Sequence, residues 1–173
     1  MSGEFRVTLL ATGGTIEKSY DAHSGALTLG LPVIESLIAA LDLPDVVVDV
    51  QRLMAKDSLD MDAADRARIV DAAKTALAID EAHAVIITHG TDTLAETAAA
   101  LVAALDAPAV PVVLTGAMRP YRVANSDAAQ NVAQALMAAR LLAPGVHAVM
   151  HARVVAGDRV IKDYERLTIA SVR

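Results

Sequence analysis

Two threonines in this sequence stand directly behind glycine. Thr15 follows Gly13-Gly14 in TLLATGGTIEKS, and Thr91 follows Gly90 in THGTD, with Asp92 next to it. A threonine hydroxyl is a weak nucleophile at neutral pH and needs a proton acceptor and donors for the oxyanion its attack creates. Backbone N–H groups at glycine turns and helix starts supply such donors without side chains. Asp57-Ser58 in KDSLDMD and the run Gly116–Pro120 in TGAMRP belong to the same set, and Lys162 in VIKD is the candidate partner for a hydroxyl. Phosphate chemistry fits poorly. Glu17 stands where a phosphate-binding loop needs its second glycine, and no further glycine follows Gly14 at dinucleotide-motif spacing. His147 and His151 are four apart, which on a helix would suggest a metal, but VHAVMHARVV reads as one strand carrying an ordinary pair. His89 reads as a structural histidine, and no metal is expected.

Elements must carry these residues. Apolar runs of strand length recur at FRVTLLA, VVVDV (46–50), HAVIITH (83–89), AVPVVLTG (109–116) and VHAVMHARVV (146–155). Between them lie helical patterns at 32–41, 62–79, 93–105 and 126–143, and Thr93 with Glu96 forms a capping-box pattern at the third. Near-continuous apolar strands alternating with amphipathic helices predict an α/β fold: a doubly wound, mostly parallel sheet, helices on both faces, in one Rossmann-like three-layer domain. Ligands in such sheets bind outside the carboxyl ends of the strands, where the singled-out glycines, hydroxyls and carboxylates fall.

Composition narrows the function classes. A net charge of −6 with scattered arginines and 2% aromatic residues leaves neither a phosphate-tracking surface nor a stacking platform, so no nucleic-acid partner is expected. No apolar stretch reaches the ~20 residues of a membrane helix, and the amino-terminal stretch shows no apolar run of signal-peptide length. The absence of cysteine excludes a thiolate nucleophile and fits a reducing compartment, so the expected location is cytoplasmic.

Together LLATGGTIEK, DSLDMD, VIITHGTDTLAETA, VVLTGAMRP and VIKD, in this order, resemble the amino-terminal domain of the bacterial-type L-asparaginases. ATGGTI and THGTDT match that family's two signature segments. The resemblance covers essentially all of residues 1–173 and implies hydrolysis of L-asparagine to L-aspartate and ammonia through a threonine-linked acyl-enzyme, without cofactor. By position, Thr15 matches the primary nucleophile, Tyr20 the flexible-loop tyrosine and Ser58 the residue that binds the substrate α-carboxylate. Thr91, Asp92 and Lys162 match the second threonine, the acid that binds the α-ammonium and the lysine of a Thr–Lys–Asp group. Gly14, Asp57, Gly90 and Ala117 complete the expected substrate pocket. The resemblance also implies a homo-oligomer, dimer or tetramer.

Three departures stand beside it. The stretch from Thr15 to Tyr20 is short, and Leu59 replaces a polar residue that some members use on the substrate. The family's usual carboxyl-terminal domain, which lends a glutamate to the neighbouring subunit's site, is not among these residues, so the expectation is one domain over 1–173. A glutaminase or mixed amidase is the nearest alternative, since one methylene changes binding by only ~1–3 kcal/mol. A non-catalytic amino-acid-binding module and a component of a larger amidotransferase are the others.

Overall fold

In the computed structural model, which describes residues 3–29 and 33–172, the apolar runs alternate with helices as their pattern requires. The order is β1 (Phe5–Gly13), β2 (Lys18–Asp21), β3 (Ala26–Leu29), α1 (Ile34–Ala40), β4 (Val46–Lys56), α2 (Ala63–Leu77), β5 (Ala84–Thr88), α3 (Leu94–Ala104), β6 (Pro111–Thr115), α4 (Ala128–Leu141), β7 (Gly145–Met150), β8 (Arg153–Ala156), β9 (Val160–Asp163) and β10 (Thr168–Ser171). Pro32, with which the expected first helix opens, lies outside the described residues.

Six strands form one sheet in the order β4-β1-β5-β6-β7-β8. The first five are parallel, and β8 runs antiparallel to β7 at one edge. Strands covered on both faces carry unbroken apolar runs, and β5 and β6 are buried at every residue. The period of two then sorts their side chains. Leu10, Val85, Ile87 and Leu114 meet α2 and α3 through Ile69, Ala73, Leu94 and Leu101. Leu9, Ala11, Ile86 and Val113 meet α1 and α4 through Ile34, Leu37, Val132 and Ala135. The three-layer expectation holds. Among the described residues no helix is long and apolar enough to cross a membrane.

The connections fix where the loops go. From β5 to β6 and from β6 to β7 the chain steps in one direction along the sheet, yet α3 and α4 cover opposite faces. Those two crossovers therefore have opposite hands. The β1–α1–β4 and β4–α2–β5 connections share the hand of β5–α3–β6, which leaves β6–α4–β7 as the left-handed exception to a rule that holds in about 98% of cases. One consequence is local. The segment between β6 and α4 falls on the face of the turn after β1, where Tyr121 N donates to Ile16 O at 3.2 Å.

Three details differ from expectation. VHAVMHARVV is not one strand: it breaks after Met150, and β7 and β8 pair as a hairpin across a turn at His151 and Ala152. Both turn residues have positive φ, 51° and 57°, the conformation that a tight two-residue hairpin demands. The Thr93–Glu96 capping box does not form. Thr93 instead donates its hydroxyl to Ser58 O at 2.8 Å and Glu96 pairs with Arg66, so that helix start is tied to neighbouring elements. A capping box does form at α2, between Asp62 and Asp65. The segments 18–29 and 160–171 form two antiparallel hairpins, β2–β3 and β9–β10, outside the main sheet.

Candidate active site

β1 and β5 are neighbours, but the chain leaves β1 toward the α1 face and β5 toward the α3 face. A crevice opens at the carboxyl ends of two strands whose connections diverge in this way. Thr15 and Thr91 follow those two ends closely.

Glycine makes the crevice floor possible. Gly13 (φ 97°) and Gly14 (φ 75°) occupy the left-handed region, and Gly14 N donates to Lys56 O at 2.8 Å. A Cβ on Gly14 would stand 2.5 Å from Gly90 N, and one on Gly90 would stand 2.5 Å from Ser58 Oγ. The turns after β1, β4 and β5 thus touch at positions that have no room for a side chain. A tight turn alone explains one glycine; the close approach requires the others.

Thr15 opens a single 3₁₀ turn, Thr15–Glu17, and is half-buried. Side chains behind the turn anchor it. Glu17 is almost fully buried and accepts from Arg52 at 3.0 Å, and Arg52 also bridges to Glu35 on α1. Burial pushes the Glu17 carboxyl above its usual range against the pull of Arg52. Just beyond that turn Lys18 pairs with Asp57 at 2.5 Å. The Lys18 ammonium, with the Leu59 N–H that Asp57 also accepts, holds the Asp57 carboxyl below its usual range. The hairpin that follows carries Tyr20 at 67% exposure, and Tyr20 does not line the cavity described below.

Across the crevice, the β9–β10 hairpin delivers Lys162. Its Nζ donates to Thr91 Oγ1 at 2.9 Å and to Asp92 Oδ1 at 2.8 Å. The lysine side chain is 12% exposed and lies 4.9 Å from the centroid of the Tyr164 ring, whose hydroxyl reaches Asp92 at 3.4 Å. A largely desolvated ammonium with two of its three donors fixed can orient a hydroxyl and stabilise negative charge that develops beside it. Behind this group Ser58 is buried, and its Oγ has no hydrogen-bond partner among the described residues. Ala117 is buried beside Gly116, while Leu59 is 70% exposed.

His89 is buried whole. One ring nitrogen meets Gly90 O and the other Thr97 Oγ1, each at 2.8 Å. Burial lowers its pKa to about 4, so the ring is neutral at pH 7 and acts as a strut between β5 and α3.

Thr15, Thr91 and Lys162 line one cavity of about 730 Å³, within the roughly 300–1,000 Å³ usual for small-molecule sites. Asp92 joins through its bond to Lys162. Gly14, Gly90 and Ser58 form the packed layer behind them, and Asp57 braces the edge through Lys18. The same cavity is lined by Asp127, His151 and Thr168, none of which the sequence motifs single out as a site. A signal for them exists: His151 follows the carboxyl end of β7 directly, which is the rim position. The apolar run 146–155 conceals it by reading as one strand.

The family model described as "Asparaginase, N-terminal" matches residues 6–166. An L-asparaginase of Thermococcus kodakarensis is 34% identical over 157 residues, covering 91% of this chain and 47% of that protein. A glutamyl-tRNA(Gln) amidotransferase component from Methanococcus vannielii is 32% identical over 149 residues, covering 86% of this chain and 34% of that protein. The solved thermostable L-asparaginase from Thermococcus kodakarensis superposes with a TM-score of 0.86 at 33% identity, over 96% of this chain and 51% of that one. The chain thus spans about half the length of the first of these relatives and about a third of the second.

Proposed function

This chain belongs to the asparaginase family, whose amino-terminal domain model it matches over residues 6–166, and from that membership we propose that it hydrolyses the side-chain amide of L-asparagine to L-aspartate and ammonia. The observation that carries the proposal is the bond from Lys162 to both Thr91 and Asp92, in the cavity that Thr15 also lines. Thr15 Oγ1 attacks the amide carbon, its proton passes to the leaving nitrogen, and ammonia departs. Water then cleaves the acyl-threonine ester and restores the hydroxyl. Thr91, oriented by Lys162, directs that water, while Asp92 receives the substrate α-ammonium and Ser58 its α-carboxylate. The Ser58 hydroxyl, without a partner among the described residues, supports the last role, because a buried donor left so is costly and a ligand would satisfy it. Tyr20 enters as the residue of a hairpin that closes over bound substrate. Ammonia release measured side by side with asparagine and glutamine tests the activity and separates an asparaginase from a glutaminase or mixed amidase.

A second reading has its own support. The similarity to amidotransferase components, 32% identity to the Methanococcus vannielii protein, favours a chain that releases ammonia for a partner enzyme. In that reading turnover by the isolated chain is low and rises when the partner is added. We further propose self-association as a dimer or tetramer, supported by the exposed Met137 and Leu141 on α4, with light scattering as the check.

A further inference from the structure

We propose that Thr168, His151 and Asp127 form a second nucleophilic centre in the cavity wall, independent of Thr15, that accepts an acyl group from an ester or activated amide. His151 Nδ1 lies 2.8 Å from Thr168 Oγ1, and its Nε2 lies 2.9 Å from Asp127 Oδ2. All three residues line the same cavity. A hydroxyl, an imidazole and a carboxylate linked in this order are recognised by geometry and role rather than by position in a chain.

Each member is held in place. The Asp127 carboxylate accepts from Met118 N and Arg119 N, both at 2.9 Å, and from Asn131 Nδ2 at 2.9 Å, so its remaining function is to orient the ring. Burial opposes its ionisation, but the backbone N–H groups of Met118, Arg119 and Asp127, with His151, hold the carboxyl below its usual range. Beside an ionised Asp127, the neutral tautomer of the ring carries its proton on Nε2 and presents Nδ1 as the acceptor facing the Thr168 hydroxyl. The backbone of His151 sits at φ 51°, fixed by His151 N to Asn131 Oδ1 at 3.0 Å, and Ala152 N donates to Gln134 Oε1 at 2.7 Å. Asparagine and glycine are the usual residues of such a turn, so a His-Ala pair there carries strain that these two α4 side-chain amides hold. Leu167, directly before Thr168, is also left-handed at φ 50°. Strained backbone on both sides of one hydrogen-bond chain points to a site rather than to a hairpin turn alone.

The chemistry balances with water as the only co-reactant. Thr168 Oγ1 bonds to the acyl carbon as its proton moves to His151 Nδ1. The bond to the leaving group breaks, and the leaving group takes that proton. Water then attacks the acyl carbon by the same proton route and frees Thr168. Arg119 and Arg153, which line the same cavity, favour an acyl donor that carries a negative charge.

The test uses the whole chain with an alkyl fluorophosphonate, which labels hydroxyls activated by a neighbouring base, and maps the adduct by peptide mass spectrometry. The expected result is an adduct on Thr168 whose rate of formation falls about 100-fold in His151→Asn, a substitution the turn accepts. Circular dichroism of His151→Asn establishes that it is folded, and Asp127→Asn should slow labelling in the same direction. An adduct on Thr15 alone would overturn the second centre and leave the asparaginase reading intact. Labelling of Thr168 that is unchanged in folded His151→Asn would also overturn it.

Discussion

Lys162 Nζ and Thr91 Oγ1 meet at 2.9 Å although 71 residues separate them in the chain. The contact joins the loop after a central strand to a hairpin outside the main sheet. Through it the hairpin places a charge beside a hydroxyl in the cavity. A role for Lys162 in turnover is separable from a role in folding by the kinetics of one substitution.

Replacing Lys162 by Met keeps most of the volume and removes the three donors. If the ammonium stabilises charge in the transition state, kcat falls about 10²- to 10³-fold, with KM changed far less. Steady-state kinetics on asparagine reads this directly, and a loss below threefold would make Lys162 a structural residue.

Gly14→Ala tests the packed floor. The new Cβ would fall 2.5 Å from Gly90 N on a backbone with φ 75°. Overpacking typically costs about 1–3 kcal/mol, and holding an alanine at that φ with ψ −174°, a conformation nearly confined to glycine, a further ~1–3 kcal/mol. The midpoint of denaturant unfolding should drop by the equivalent of roughly 2–6 kcal/mol, the sum of those two costs. An unchanged midpoint would mean that the turns after β1 and β5 are not in contact.

His89 sets a pH dependence of stability. Its folded pKa is about 4 against 6.5 in the unfolded chain, so the unfolded state binds the extra proton first as pH falls. The stabilisation is complete above about pH 6.5 and is lost as pH drops from there toward about 4, by on the order of 3 kcal/mol. Unfolding free energies across this window should slope downward toward acid in the wild type and flatten in His89→Gln. Equal slopes would show that the ring is not buried neutral.

Much of the architecture is legible in the apolar runs. β5 and β6 are buried on both faces, and a stretch such as VIIT between helical patterns satisfies that burial as a central parallel strand. The hydroxyls at the rim follow from the same rule, since a loop after a parallel strand is where ligands meet the sheet. Topology is not legible in this way. Nothing in the helical pattern of 126–143 says which face it covers, so the left-handed β6–α4–β7 connection and the meeting of Tyr121 with Ile16 emerge only in three dimensions. The turn at His151 escapes notice because His and Ala are poor signals for a hairpin, and the apolar residues on either side continue the strand pattern. Thr93 reads as the cap of its own helix because the competing tertiary partner, Ser58 O, is distant in the chain.

We propose that Thr15 forms the acyl intermediate in the cavity that Thr91 and Lys162 also line. Acid-quenched mass spectrometry of the wild type and of Thr15→Ala during turnover of asparagine tests it most directly. An acyl adduct is expected on the wild-type peptide containing Thr15, and none in Thr15→Ala, which still binds asparagine but releases almost no ammonia. Full ammonia release by Thr15→Ala, with an adduct on Thr91, would contradict it.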